Sequence, residues 1–149
     1  MNKISETLLT TTIGLTLLAG ANFANAQSLL PPVQHSGANT FITGGIGLDE
    51  STAFKSAMKD WPLTLQFAEK SGHKAQYVAD VQVVVTDTKG QVVMNAKSEG
   101  PFILAKIPPG VYKVQAILLG KAMHQKIELK DGQPAKVTFL WPASNAEAH

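Results

Sequence analysis

The chain has 149 residues, a formal charge of +2, no cysteine, and 13 basic residues, every one of them lysine. That length sets an expectation of one domain, and the lack of cysteine excludes disulfides, a lipid-anchored leader and thiol-based metal or redox chemistry. Arginine is the side chain suited to bidentate phosphate and carboxylate recognition; without it, and with the lysines spread singly, nucleic-acid binding is not expected.

The chain opens with Lys3, then a short apolar run from Leu8 to Gly20, then Ala24-Asn25-Ala26. This is the order of a signal peptide, residues 1–26, with cleavage expected between Ala26 and Gln27 after the small residues Ala24 and Ala26. The apolar run is too short and too rich in threonine for a membrane span, and none is expected after cleavage. The expected location is the periplasm or the exterior. Residues 27–39 carry Pro31-Pro32 and read as a flexible N-terminal arm. Order is expected over residues 40–142, with a frayed tail at 143–149.

Within that domain, "TFITGG" reads as a short strand broken by glycines. A helix is expected over about 49–61, with Asp49 as N-cap and Phe54, Ala57, Met58 and Trp61 on one face; Pro62 ends it. Beyond Pro62 the apolar residues alternate. Leu63, Leu65 and Phe67 share a side, and "EKSGHK" reads as a loop. Residues 77–87 read as one strand with Tyr77, Ala79, Val81, Val83 and Val85 on one side. "TKG" reads as a hairpin turn, and "QVVMNA" as the partner strand. Phe102 and Leu104 point one way, and Ile107 breaks that alternation before a corner at Pro108-Pro109-Gly110, where a type II turn would use the glycine. Tyr112, Val114, Ala116 and Leu118 resume it, with the Tyr112 hydroxyl expected to staple the corner. Asp131-Gly132 signals a hairpin before a last strand with Val137, Phe139 and Trp141 on one face. Short strands with a turn every 8–12 residues or so and a single helix fit a mainly β, antiparallel sandwich.

The segment from Gly100 through Phe102, Leu104 and Ile107 to Pro108-Pro109-Gly110, Tyr112 and Val114 resembles the G-x-F-x-L and L-P-P-G-x-Y-x-V signature of carboxypeptidase regulatory-like domains. The preceding "VADVQVVVTDTKGQVV" resembles the strand-turn-strand before that signature. The resemblance covers residues 78 to 118 and extends toward Trp141. It implies a transthyretin-like (prealbumin-like) sandwich of about seven strands, here with one short inserted helix. The chain is also similar to small exported proteins of Gram-negative, proteobacterial type in which "GGIG-x-DE" and a helix precede such a sandwich. Leu48 to Trp61 departs from the minimal domain and is a place for a distinct function.

The chemistry-bearing residues form no recognisable constellation. His35, His73, His124 and His149 have neither metal-ligand spacing nor an adjacent acid. Gly44, Gly45 and Gly47 before a helix could cradle an anion, but Asp49 and Glu50 already occupy that helix end. Asp49, Glu50 and Asp60 do not make an EF-hand loop. The same fold hosts a hydrolase of 5-hydroxyisourate that uses histidines, an arginine and a C-terminal Tyr-Arg-Gly-Ser; this chain has no arginine and ends "FLWPASNAEAH". The expectation is therefore a non-enzymatic module without metal or cofactor, binding a protein or small ligand, with Glu50, Lys55 and Lys59 on the outer helix face as a contact surface. Two other readings stay open. One is a small-ligand enzyme, which requires His73, His124, Asp80 or Asp87 to converge; the other is an assembly or adhesion subunit.

Overall fold

Alternating apolar residues can bury one face of a strand, so the positions of these alternations decide how the chain layers. In the computed structural model, which describes residues 29–143, they produce two sheets packed face to face with a helix on the outside of one. The elements are β1 (Gln34–Ser36), β2 (Asn39–Gly44), α1 (Leu48–Ala57) continued by a 3-10 turn (Met58–Asp60), β3 (Leu63–Ser71), β4 (Lys74–Tyr77), β5 (Gln82–Thr86), β6 (Val92–Lys97), β7 (Phe102–Lys106), β8 (Gly110–Leu118), β9 (Lys121–Leu129) and β10 (Ala135–Trp141). The first sheet runs β1-β2-β7-β3-β10, with β4 also beside β3; the second runs β6-β5-β8-β9. The mainly β sandwich expected from the sequence is thus present, with ten strands rather than about seven.

The main core lies between the sheets. Leu63, Leu65, Phe67, Val137, Phe139 and Trp141 meet Val81, Val83, Val85, Val114, Ala116 and Ile127 there. A second, smaller core forms on the outer face of the first sheet, where Phe54 of the helix stacks on Phe102 at 5.7 Å between ring centres, with Ile42, Trp61 and Leu104 around them. This settles how β7 reads. Its even residues Phe102 and Leu104 face the helix, while Ile103, Ala105 and Ile107 face the main core. Ile107 therefore continues an alternation rather than breaking one, because both faces of β7 are covered.

Several sequence expectations shift for similar reasons. Residues 77–87 are not one strand. β4 pairs with β3 in the first sheet, and after Asp80, at φ 60°, the chain crosses to the second sheet as β5. The inward face also changes parity there: Val78 packs on the main core while Tyr77 lies against Phe102 on the helix side, so Tyr77 does not share a side with Val81, Val83 and Val85 as the sequence suggests. The loop "EKSGHK" shrinks to a turn at Gly72-His73, because Glu69 to Ser71 pair with β4. Within the expected arm, Gln34–Ser36 pairs antiparallel with β2 as a short edge strand after the two prolines. Gly47, not Asp49, is the helix N-cap, and Ser51 N–H donates to its carbonyl at 3.0 Å. The Asp131-Gly132 turn does not join paired strands either. Only Lys130 and Gln133 bridge there, and β10 then runs parallel to β3, from Ala135↔Leu63 to Trp141↔Glu69. The sandwich is consequently antiparallel except for this one pair of strands.

Side chains latch the sandwich along both seams. Gln125 of β9 donates to the Thr138 carbonyl of β10 at 3.0 Å, and the Trp141 indole donates to the Lys121 carbonyl at 3.0 Å. On the opposite seam Asn39 donates to the Val93 carbonyl at 2.7 Å, and Asn95 N–H donates to the Ser36 hydroxyl at 2.9 Å. Polar groups that an edge strand would otherwise present to another chain are partly satisfied within the molecule.

Candidate functional site

The corner at Pro108-Pro109-Gly110 closes one end of the sandwich. The Tyr112 ring is buried in the main core, and its hydroxyl donates to the Pro108 carbonyl at 2.7 Å. Burial holds the Tyr112 hydroxyl above its ordinary ionisation range, and the nearby Asp87 carboxylate adds to the effect. A type II turn would place its glycine near φ ~80°. Gly110 instead lies at φ 155° and is already the first residue of β8, paired with Leu129, so the turn is made by the prolines before it.

A pocket of about 220 Å³ lies at the same end. Three distant segments build it: the end of the helical segment and its exit (Lys59 to Pro62), the corner (Ile107, Pro109) and the link from β9 to β10 (Leu129 to Pro134). Trp61, Ile107 and Leu129 are buried and give it an apolar floor. Pro62, Pro109 and Pro134 stiffen its walls by fixing φ. Lys59, Asp60, Lys130 and Asp131 stand exposed around it, and Lys106 holds its ammonium 4.8 Å from the Trp61 ring centre. An apolar floor inside a polar rim is the usual make-up of a small binding site. The sequence signalled the prolines but not their convergence, which depends on β10 crossing to the first sheet.

Each residue of the helix surface expected to make contacts has a neighbour within the chain. Glu50 turns back and accepts the Gly45 N–H at 2.6 Å. The chain's own carboxylate thus fills the place where an anion cradle was conceivable. A Cβ at Gly45 would run into the Phe102 ring and one at Gly44 into the Glu50 carboxylate, so these glycines serve close packing. Lys55 holds its ammonium 5.9 Å from the centre of the half-exposed Tyr77 ring, and Lys59 joins the rim of the end pocket.

His73, His124, Asp80 and Asp87 lie in three separate depressions. His73 sits with Lys70 and Leu140, and Asp80 sits with His35 and Glu99. His124 and Asp87 share a groove on the outer side of β8 and β9. Asp87 is occupied, its Oδ1 accepting the N–H groups of Lys89 and Gln91 at 2.9 Å each. Among the described residues, no group of three or more His, Cys, Asp or Glu side chains could hold a metal ion. No helix among them is long and apolar enough to cross a membrane. Ala24, Ala26, Gln27 and His149 lie outside the described residues.

No protein-family model matches the chain, and no curated protein matches it. Among solved structures, it is similar to GBS52, the minor pilin of the Gram-positive pathogen Streptococcus agalactiae, at 13% identity and a TM-score of 0.46. That similarity covers 56% of this chain and 45% of the pilin chain, so the chain spans less than half of the pilin's length.

Proposed function

We propose that the chain is an exported, non-enzymatic β-sandwich module of carboxypeptidase regulatory-like type that binds a protein or small ligand in the periplasm through its proline-walled end. The observation that carries this reading is the end pocket itself, with its buried Trp61, Ile107 and Leu129 floor and its charged rim. The scatter of His73, His124, Asp80 and Asp87 over three depressions supports the non-enzymatic part, since acid-base or nucleophilic chemistry needs such groups within hydrogen-bond reach of one another. The leader-like residues 1–26 support export, with residues 40–142 as the working domain. The latched seams favour a pocket over strand donation as the mode of binding.

The test is a cross-linked pull-down from periplasmic extract of the native host, with the protein expressed from the full-length chain as bait. A second bait carries Lys59→Glu with Asp131→Lys on the pocket rim, and a third carries Lys136→Glu on the outer face of the first sheet. The expected result is one dominant partner lost only with the rim variant. A partner kept by the rim variant, or no partner and no small-ligand binding, would overturn the reading.

A further inference from the structure

The outer face of the first sheet carries the helix, whereas Lys97, Lys113, His124, Lys126 and Glu128 on the outer face of the second are exposed. On that bare face Lys113 of β8 stands directly opposite Lys126 of β9, and its neighbour on the other side is Thr86 of β5. The next outward pair is Gln115 with His124. Like charges placed directly opposite on a sheet repel, and neither lysine forms an ion pair among the described residues. The one ion pair among the described residues joins Lys97 to Asp80 at 4.0 Å. Of the acids at hand, Asp87 lines the same groove but accepts two N–H groups of its own turn, and Glu128 stands opposite Val111.

Lys113, Lys126 and His124 line a groove of about 430 Å³ together with Asp87, Thr88 and Val111, the Asp87 carboxylate being held by the N–H groups of Lys89 and Gln91. A smaller depression of about 190 Å³ adjoins it, shares Lys113 and His124, and adds Thr86 and Gln115. Two lysines and an imidazole thus line the larger groove beside Thr88 and Asp87, and Lys113 and His124 also reach the smaller one with Thr86 and Gln115. A tetrahedral oxyanion accepts hydrogen bonds from many directions, and lysine serves it as a point charge.

We propose that this groove binds a phosphate group, carried by a small soluble ligand or by a lipid headgroup. Bound between Lys113 and Lys126, the phosphate offsets the repulsion that the register builds into the bare face, and Val111 offers an apolar contact to whatever the phosphate is attached to. This site is separate from the end pocket and stands or falls independently of it.

The test is a titration of ¹⁵N-labelled protein, expressed from the full-length chain, with inorganic phosphate, followed by amide chemical shifts. A second arm measures co-sedimentation with phosphatidylglycerol vesicles and with neutral phosphatidylcholine vesicles. The expected result is saturable shifts confined to residues 111–113 and 124–126, weakened about five-fold for each charge removed in Lys113→Gln and Lys126→Gln. Lys136→Gln, on the other sheet, leaves binding unchanged. Sedimentation with anionic vesicles alone, lost in the double variant, assigns the phosphate to a lipid; phosphate binding without sedimentation assigns it to a soluble ligand. Absence of both, or binding that both lysine variants leave intact, would overturn the proposal.

Discussion

Replacing Tyr112 by phenylalanine removes one hydrogen bond and leaves the packing in place. The ring stays in the main core, and the 2.7 Å contact from its hydroxyl to the Pro108 carbonyl is lost. Such a bond is worth a net ~0.5–1.5 kcal/mol. Pro108 is exposed, so water can take up the freed carbonyl and spare it the larger penalty of a stranded buried acceptor. Tyr112→Phe should therefore cost about 1 kcal/mol in urea unfolding, with an unchanged denaturant slope. Tyr112→Ala, which empties the ring's place in the core, should cost about 3–5 kcal/mol. The alkaline limb adds a second readout. The folded-state pKa of Tyr112 lies above the ordinary 10.0. Above that pH the unfolded chain loses this proton first, and wild-type stability falls until the folded pKa is reached. Tyr112→Phe has no such proton, so the stability gap between the two proteins should narrow as pH rises past 10.0. A phenylalanine variant as damaged as the alanine one, or a gap that stays constant in alkali, would refute the role given to this hydroxyl.

Other substitutions probe the remaining joints. A Cβ at Gly100 would overlap the Gly44 carbonyl, so Gly100→Ala should lower stability by about 1–3 kcal/mol in a thermal melt. Leu119 holds φ 49° beside Gly120 at φ 81°, the two positive dihedrals of a type I′ hairpin, and is 85% exposed. Leu119→Asn should thus raise stability by about 1 kcal/mol in urea unfolding, since it relieves left-handed strain without losing packing. Phe54→Ala should cost about 3–5 kcal/mol and speed amide exchange over residues 48–60 ahead of the sandwich strands, because Phe54 is the fully buried anchor of the helix.

How far the sequence carries depends on which signals are local. The inward faces of β8 and β10 were legible, because Tyr112, Val114, Ala116 and Leu118, and then Val137, Phe139 and Trp141, alternate against polar neighbours. β7 was misread because the helix covers its outer face; when both faces are buried, Ile107 looks like an interruption. Asp80 and Asp131-Gly132 were misread for another reason. A change of sheet alters the partner of a strand, and at Asp80 it also shifts the inward phase from Val78 to Val81, a slip that apolar residues on both parities conceal. The helix cap went to Gly47 because Glu50 folds back onto Gly45, a contact that sequence spacing alone does not distinguish from a free acidic first turn. The end pocket was hidden for the same topological reason. Trp61, Pro109 and Pro134 belong to three connections that meet only once β10 lies beside β3. The Lys113 and Lys126 opposition likewise exists only in the register of the β8–β9 pair.

The central claim is that the proline-walled end is the binding surface. Site-specific photo-crosslinking in living cells tests it most directly, with the photoreactive residue placed in turn at Lys59, Pro109 and Lys130 on the rim, and at Lys97 and Lys136 elsewhere. All five positions are exposed. The account predicts the same discrete adduct from the three rim positions and none from the other two. Adducts only from Lys97 or Lys136, or none from the rim, would contradict it.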